Sequence, residues 1–181
     1  FSNSIIPTKL YPINIDVDKI NNIELNKLKN IGYKSKLYKA TFNNTATNDN
    51  YNVELTENSQ VIITRNIDIS KGLVNGTRGV IRNLNNDYVV IQDIYNNTHT
   101  INYFKDALNK KNSFIYHMPV KTSYALSIHK SQGMTIDAVE LDLGENIFAH
   151  GQTYTALSRA KKLECIKIIN VDKSSFKMNP Y

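Results

Sequence analysis

The chain has 181 residues, 41% of them hydrophobic, a formal net charge of +6 and a sequence pI near 9.2. That length suits one domain, or one domain with a small insert, and no apolar run approaches the ~20 residues that span a bilayer. The opening FSNSIIPTKL lacks the charged and apolar regions of a secretory signal, and a single cysteine, Cys165, excludes a disulfide framework or a Cys-based zinc site.

The start without a methionine reads as that of a fragment or a processed product. The basic balance favours a polyanionic partner, with nucleic acid first, although charge alone divides that reading evenly from a lysine-rich solvated surface. The sequons at Asn43, Asn75 and Asn96 read as chance in an Asn-rich chain.

In chain order, residues 4–10 read as a short strand running into a loop at Pro7. Residues 16–29 read as a helix with Asp16 at its N-cap and Val17, Ile20, Leu28 and Ile31 on one side. Asp16 and Asp18 are first-turn acids favoured by the helix dipole rather than a paired-carboxylate site. A strand over residues 36–42, a polar loop over 43–52 and a short apolar strand over 61–64 follow. Residues 79–84, 88–94 and 98–103 then form three β-rich runs. Polar turns at 85–87 and 96–97 separate them, which is the pattern of a meander in a small barrel or sheet. Mixed α/β character resumes with buried strands at 138–143 and 165–170 around a helix over 152–161. Cys165 reads as a buried strand residue. A β-only insert thus interrupts an α/β domain, and no internal repeat is evident.

Three segments carry chemistry. TRNIDISKGLVNGTRGV, residues 64–80, brings Arg65, Lys71 and Arg78 to turns that Gly72, Gly76 and Gly79 permit. Alone it reads more readily as a structural loop at a domain junction. SYALSIHKSQGMTIDAVELDL, residues 123–143, sets Ser127, His129, Lys130, Ser131 and Gln132 before Gly133. Hydroxyl, imidazole and ammonium donors in one turn suit phosphate oxygens, whereas an isolated His is more often a satisfied interior residue. GQTYTALSRAKKLECIKI, residues 151–168, places Gln152, Thr155 and Arg159 on one helical face. A planar, permanently charged guanidinium can steady charge on a transferring γ-phosphoryl group, or simply make a surface salt bridge. No GxSxG, HExxH or close His/Cys cluster occurs, and neither does a phosphate-binding GxxxxGK[ST] or an acidic metal-binding pair after a strand.

Taken together and in this order, these segments resemble the Pif-one and RecD group of superfamily 1 DNA helicases. IIPTKLYPINIDVDKIN looks like the family's opening strand, loop and helix, and VIITRNIDISKGLVNGTRGV like the segment leading into its barrel. YALSIHKSQGMTIDAVELDL looks like the fifth helicase motif and YTALSRAKK like the sixth. The resemblance implies an α/β, RecA-like second motor domain with a parallel sheet over residues 1–76 and 120–181. A small all-β, Src-homology-3-like barrel over 77–119 would interrupt it. It also implies roles by position. Arg159 matches the arginine finger, and Gln132 and Gly133 match positions near the nucleotide. Arg65 faces nucleotide or DNA. Thr8, Asn66, Ser127, His129 and Lys130 match positions near the DNA backbone, and Asn75 and Arg78 lie at the barrel junction and are assigned to DNA. ATP and Mg²⁺ are the implied cofactors, bound mainly by an upstream motor domain of the same protein, with no metal site in this chain. Single-stranded DNA and duplex junctions are the implied partners, with no membrane and with 5′ to 3′ movement. The location is intracellular: the nucleus, another DNA-containing compartment or a viral replication site. An RNA helicase of the same superfamily and a non-hydrolysing nucleic-acid-binding module remain alternatives.

Overall fold

The structure is a computed structural model that describes residues 5–12, 14–43, 46–47, 49–108, 113–144, 147, 151–173 and 176. A four-stranded sheet contains β1 (Thr8–Tyr11), β13 (Ala125–Ser127), β14 (Val139–Leu143) and β15 (Ile166–Val171) in the order β13-β1-β14-β15, with every pairing parallel. Strand β1 therefore pairs with residues more than a hundred positions downstream, and everything between is a separate excursion. The strand starts after Pro7, because proline has no N–H to give a ladder.

Helix α1 (Asn14–Ile31) begins two residues before the expected start, so Asp16 lies in its first turn. It packs against β13 and β1. Val17 and Leu25 are buried and Ile20 and Leu28 half-buried on one stripe, but Ile31 is 73% exposed because the last turn overruns the sheet. Asn21 closes the outer edge of β13. Its Nδ2 donates to Ala125 O at 2.9 Å, and Ala125 N donates to its Oδ1 at 3.0 Å, satisfying an edge that no further strand covers among the described residues.

The excursion is antiparallel throughout. Strands β6 (Gln60–Ile63), β7 (Arg78–Leu84), β8 (Tyr88–Asp93), β9 (Thr98–Asn102) and β12 (Val120–Thr122) form a sheet in the order β12-β6-β7-β8-β9, so the expected meander is present with its turns. Strands β10 (Phe104–Ala107), β11 (Phe114–His117), β3 (Thr41–Phe42) and β4 (Ala46–Thr47) form a second sheet. Strands β2 (Ser35–Tyr38) and β5 (Val53–Thr56) form a third. The single strand read over 36–42 is thus divided between two sheets. The polar loop read over 43–52 holds β4 and a short 3-10 turn, Asp49–Tyr51, while residues 44, 45 and 48 lie outside the described residues.

Strand β6 is the seam between two cores. Side chains alternate faces along a strand. Ile62 accordingly packs with Leu10, Leu126, Ile128 and Leu141 under the parallel sheet, whereas Val61 and Ile63 pack with Ile81, Val89, Ile91 and Ile101 among the antiparallel strands. Burial on both faces explains why QVII is almost wholly apolar.

Two elements depart from expectation. Helix α2 (Gln152–Leu157) ends four residues early. The chain leaves it to bridge Ile136 and Ala160 in parallel, with Ile136 N donating to Arg159 O at 2.8 Å and Lys161 N to Ile136 O at 3.2 Å. Strand β15 is an edge strand whose residues are almost all exposed, not a buried one. Cys165 sits half-buried in the 3-10 turn Leu163–Cys165 that precedes it.

Candidate functional site

The fifth-motif segment forms a tight bend at the end of β13. Ile128 N donates to Tyr11 O at 2.9 Å, tying the bend to the neighbouring strand. The buried Ser131 Oγ donates to Ile128 O at 2.7 Å, and Ser127 Oγ accepts from Lys130 N at 3.4 Å. Ile128, Ser131 and Met134 point into the core, and this leaves His129, Lys130, Gln132 and Gly133 exposed in one short stretch. Gly133 takes φ +75°, which a side chain would resist. His129 is therefore not an interior histidine.

Arg159 lies just past α2, in the turn where the helix gives way to the bridge at Ile136, and is half-buried. Its Nε donates to Thr155 O at 3.0 Å, one nitrogen to Ser131 O at 3.5 Å and Met134 O at 3.3 Å, and the other to Ser158 Oγ at 2.9 Å. Every one of these acceptors is neutral, and among the described residues no carboxylate lies within ion-pair range. The guanidinium is thus aimed by carbonyls of the same bend that exposes Gln132 and Gly133, with its charge not cancelled. Sequence spacing brings Arg159 beside Thr155 as expected, but Gln152 is buried and takes no part in an exposed face.

A second group is internal. Arg78 has a fully buried side chain whose Nε and a terminal nitrogen each donate to Asp137 at 2.6 Å, one to each carboxylate oxygen. Its other nitrogen donates to Ile6 O at 2.6 Å and Thr8 Oγ1 at 3.3 Å. Thr8 Oγ1 donates to Ser123 O at 3.0 Å, and Gln60 Nε2 reaches Ser123 O at 3.1 Å. Thr8, Arg78 and Ser127, all expected near a nucleic-acid backbone, are buried, with their polar atoms engaged inside the protein. In this structure their side chains are thus turned inward rather than presented at the surface. They join the antiparallel unit to the parallel sheet and set the bend. Gly76, at φ +102°, serves the same joint, since a Cβ there would lie 2.6 Å from Thr135 O.

Asn66 is exposed and its Oδ1 accepts from Asn75 N at 2.9 Å, so these two form one loop feature apart from Arg78. Arg65 Nε meets Asp106 Oδ2 at 2.5 Å, and His117 Nε2 lies 3.0 Å from the same oxygen. Besides this carboxylate, Arg65 shares with Lys130 an effect on the charge of Lys121. Lys121 was not singled out from the sequence. Burial, and then the charges of Lys130 and Arg65, push its ammonium down to about 8. Asp137 and Gln60 were also missed. The carboxylate four residues after Gly133 was the available signal for the first.

Among the described residues no group of His, Cys, Asp and Glu side chains could hold a metal ion, and no helix is long and apolar enough to cross a membrane. The exposed Gln132 and Gly133 and the half-buried Arg159 are donors of the kind that suit the oxygens of a triphosphate.

Residues 50–84 match the family model described as the 2B domain of DNA helicase Pif1. The Xenopus laevis ATP-dependent DNA helicase PIF1 is 37% identical over 139 residues, covering 73% of this chain and 22% of that protein. The chain spans about a fifth of the length of the curated vertebrate relatives it matches. Solved structures share the fold, among them two from Bacteroides. Bacteroides Pif1 in complex with ADP-AlF4 superposes with a TM-score of 0.78 at 21% identity, covering 98% of this chain and 44% of that one. Bacteroides Pif1 bound to single-stranded DNA gives 0.65 at 22% identity, with 99% and 44% covered.

Proposed function

Because the chain belongs to the Pif1-like family of superfamily 1 helicases, we propose that it is the second, RecA-like motor domain of an ATP-dependent DNA helicase. Its strands between Ser35 and Thr122 would form the Src-homology-3-like barrel unit. These bounds are wider than residues 77–119, because β2, β5 and β6 pair with antiparallel partners and add nothing to the parallel sheet. One observation carries the reading: a half-exposed guanidinium held only by neutral acceptors, beside the exposed Gln132 and Gly133.

In this reading ATP, with its Mg²⁺, supplies the phosphoryl group whose cleavage drives movement. A companion motor domain grips it through a GxxxxGK[ST] loop, a sequence that these 181 residues lack. Arg159 reaches across the closed cleft and stabilises charge on the transferring group. Gln132 and the Gly133 backbone line the nucleotide's near side.

The exposed His129 and Lys130 hold backbone phosphates of single-stranded DNA on the basic side of the bend. Thr8, Ser127 and Arg78 act as positioning residues beneath them, and Asn66 with Asn75 presents a second polar contact. Duplex junctions engage through the same strand, and an intracellular, DNA-associated role follows. The related Bacteroides structures, one with a nucleotide analogue and one with single-stranded DNA, support both halves.

The experiment is binding of a labelled oligothymidylate to the full-length protein over a salt series. His129→Ala with Lys130→Gln should weaken binding at least several-fold and flatten the slope of log K against log salt by about 0.7 for each phosphate no longer neutralised. Identical isotherms for variant and wild type at every salt would remove the bend from the DNA interface. An oligouridylate run in parallel separates DNA from RNA preference.

A further inference from the structure

We propose that Lys121, together with Lys130 and Arg65, forms a phosphate site that seats one phosphodiester of the bound strand. This rests on the nucleic-acid reading of the bend and adds a residue that the motifs do not contain.

The geometry begins with register. In β12, Val120 pairs with Ile63, and both belong to the core of the antiparallel unit. Lys121 pairs with Ile62, which belongs to the core under the parallel sheet. Directly opposed residues share a face, so the Lys121 side chain leaves β12 on the side of the parallel sheet and the 128–134 bend. Lys130 comes from that bend, and Arg65 comes two residues after β6, where Thr64 N donates to Pro119 O at 2.9 Å; the charges of both act on the Lys121 ammonium.

Three cations thus converge from three elements. Arg65 has Asp106 as a partner, which it shares with His117. The Lys121 side chain makes no hydrogen bond or ion pair among the described residues. A half-buried ammonium beside like charges costs stability unless an anion joins it. A folded chain that keeps such a group without a carboxylate is preorganised for a ligand that brings the negative charge. A phosphodiester suits the arrangement, because it offers two unesterified oxygens and one charge to donors on separate elements.

The depressed ammonium supplies a distinctive readout. The charged groups facing Lys121 are Lys130 and Arg65, the latter with Asp106 and His117 behind it. A phosphate raises the Lys121 affinity for its proton, so binding is favoured below about pH 8 and weakens as pH rises through that value.

The test uses the full-length protein and a labelled oligothymidylate. Lys121→Gln should lose several-fold in affinity and lower the salt slope by about 0.7, the value for one phosphate on a single strand. Its melting temperature should be unchanged or higher, because the unpaired charge is gone. Lys121→Arg, charged at every accessible pH, should bind with a flatter pH profile than wild type between pH 7 and 9. If Lys130→Gln weakens binding while Lys121→Gln keeps the wild-type slope, the phosphate site is overturned and the bend's role stands. If wild type and Lys121→Arg lose affinity in parallel as pH rises, the site is likewise overturned, even should Lys121→Gln not fold. If wild type fails to bind the strand at all, the underlying reading falls instead.

Discussion

In the full-length protein, Arg159→Ala is expected to lower DNA-stimulated ATP turnover by about 10³-fold or more while leaving affinity for single-stranded DNA within about twofold. The split follows from where the guanidinium sits. Its present acceptors, Thr155 O, Ser131 O, Met134 O and Ser158 Oγ, are neutral and engage it at 2.9 to 3.5 Å. Exchanging weak neutral acceptors for phosphoryl oxygens bearing developing charge is strongly favourable. In the proposed reading the strand contacts fall to His129 and Lys130, which are exposed in the bend, and not to Arg159. Arg159→Lys should recover little, since an ammonium lacks the planar fork that reaches several oxygens at once. Steady-state hydrolysis and anisotropy on the same preparations check the split. A purely structural Arg159 would instead lower melting temperature, turnover and DNA binding together.

Asp137→Ala should destabilise the fold by about 3–5 kcal/mol, the range for removing one partner of a buried ion pair. The Arg78 side chain has no exposure and Asp137 only 11%. Without the carboxylate, the guanidinium keeps Ile6 O and Thr8 Oγ1 as partners for only part of its donors, in a site that water does not reach freely. The loss concerns the joint between the two cores, because Arg78 opens β7 whereas Asp137 precedes β14. Equilibrium urea unfolding measures it. The double variant Arg78→Met, Asp137→Leu should recover most of the loss, since replacing both charges by apolar groups is often neutral or stabilising. A single Asp137→Ala variant with wild-type stability would mean that the pair does not hold the joint.

Local pattern made some of the fold legible. The helix stripe of Val17, Ile20 and Leu28 and the three β-rich runs depend on periods of 3.6 and 2 that a short window reveals. Burial on β15 was not legible, because IKIINV reads the same on an edge strand as at a centre. Only the strand order decides between them. The end of α2 was set by Ile136, more than twenty residues earlier, capturing the backbone at Arg159 and Lys161. The side chains at the site divided in the same way. His129, Lys130, Gln132 and Arg159 could be picked from motif chemistry. That Thr8, Arg78 and Ser127 face inward depends on Gln60, Ser123 and Asp137, which no local spacing links to them. Lys121 was hidden because β12 has three residues, too few to show which face its lysine occupies.

The central claim concerns a guanidinium that acts on the reacting phosphoryl group and not on the ground-state nucleotide. Transition-state analogues expose that difference directly. Dissociation constants of ADP with aluminium fluoride, and of ADP alone, should be measured for wild type and Arg159→Ala in the full-length protein with single-stranded DNA present. The account predicts that the variant loses about 10³-fold in affinity for the analogue and almost nothing for ADP. Equal affinity of both proteins for the analogue would contradict it.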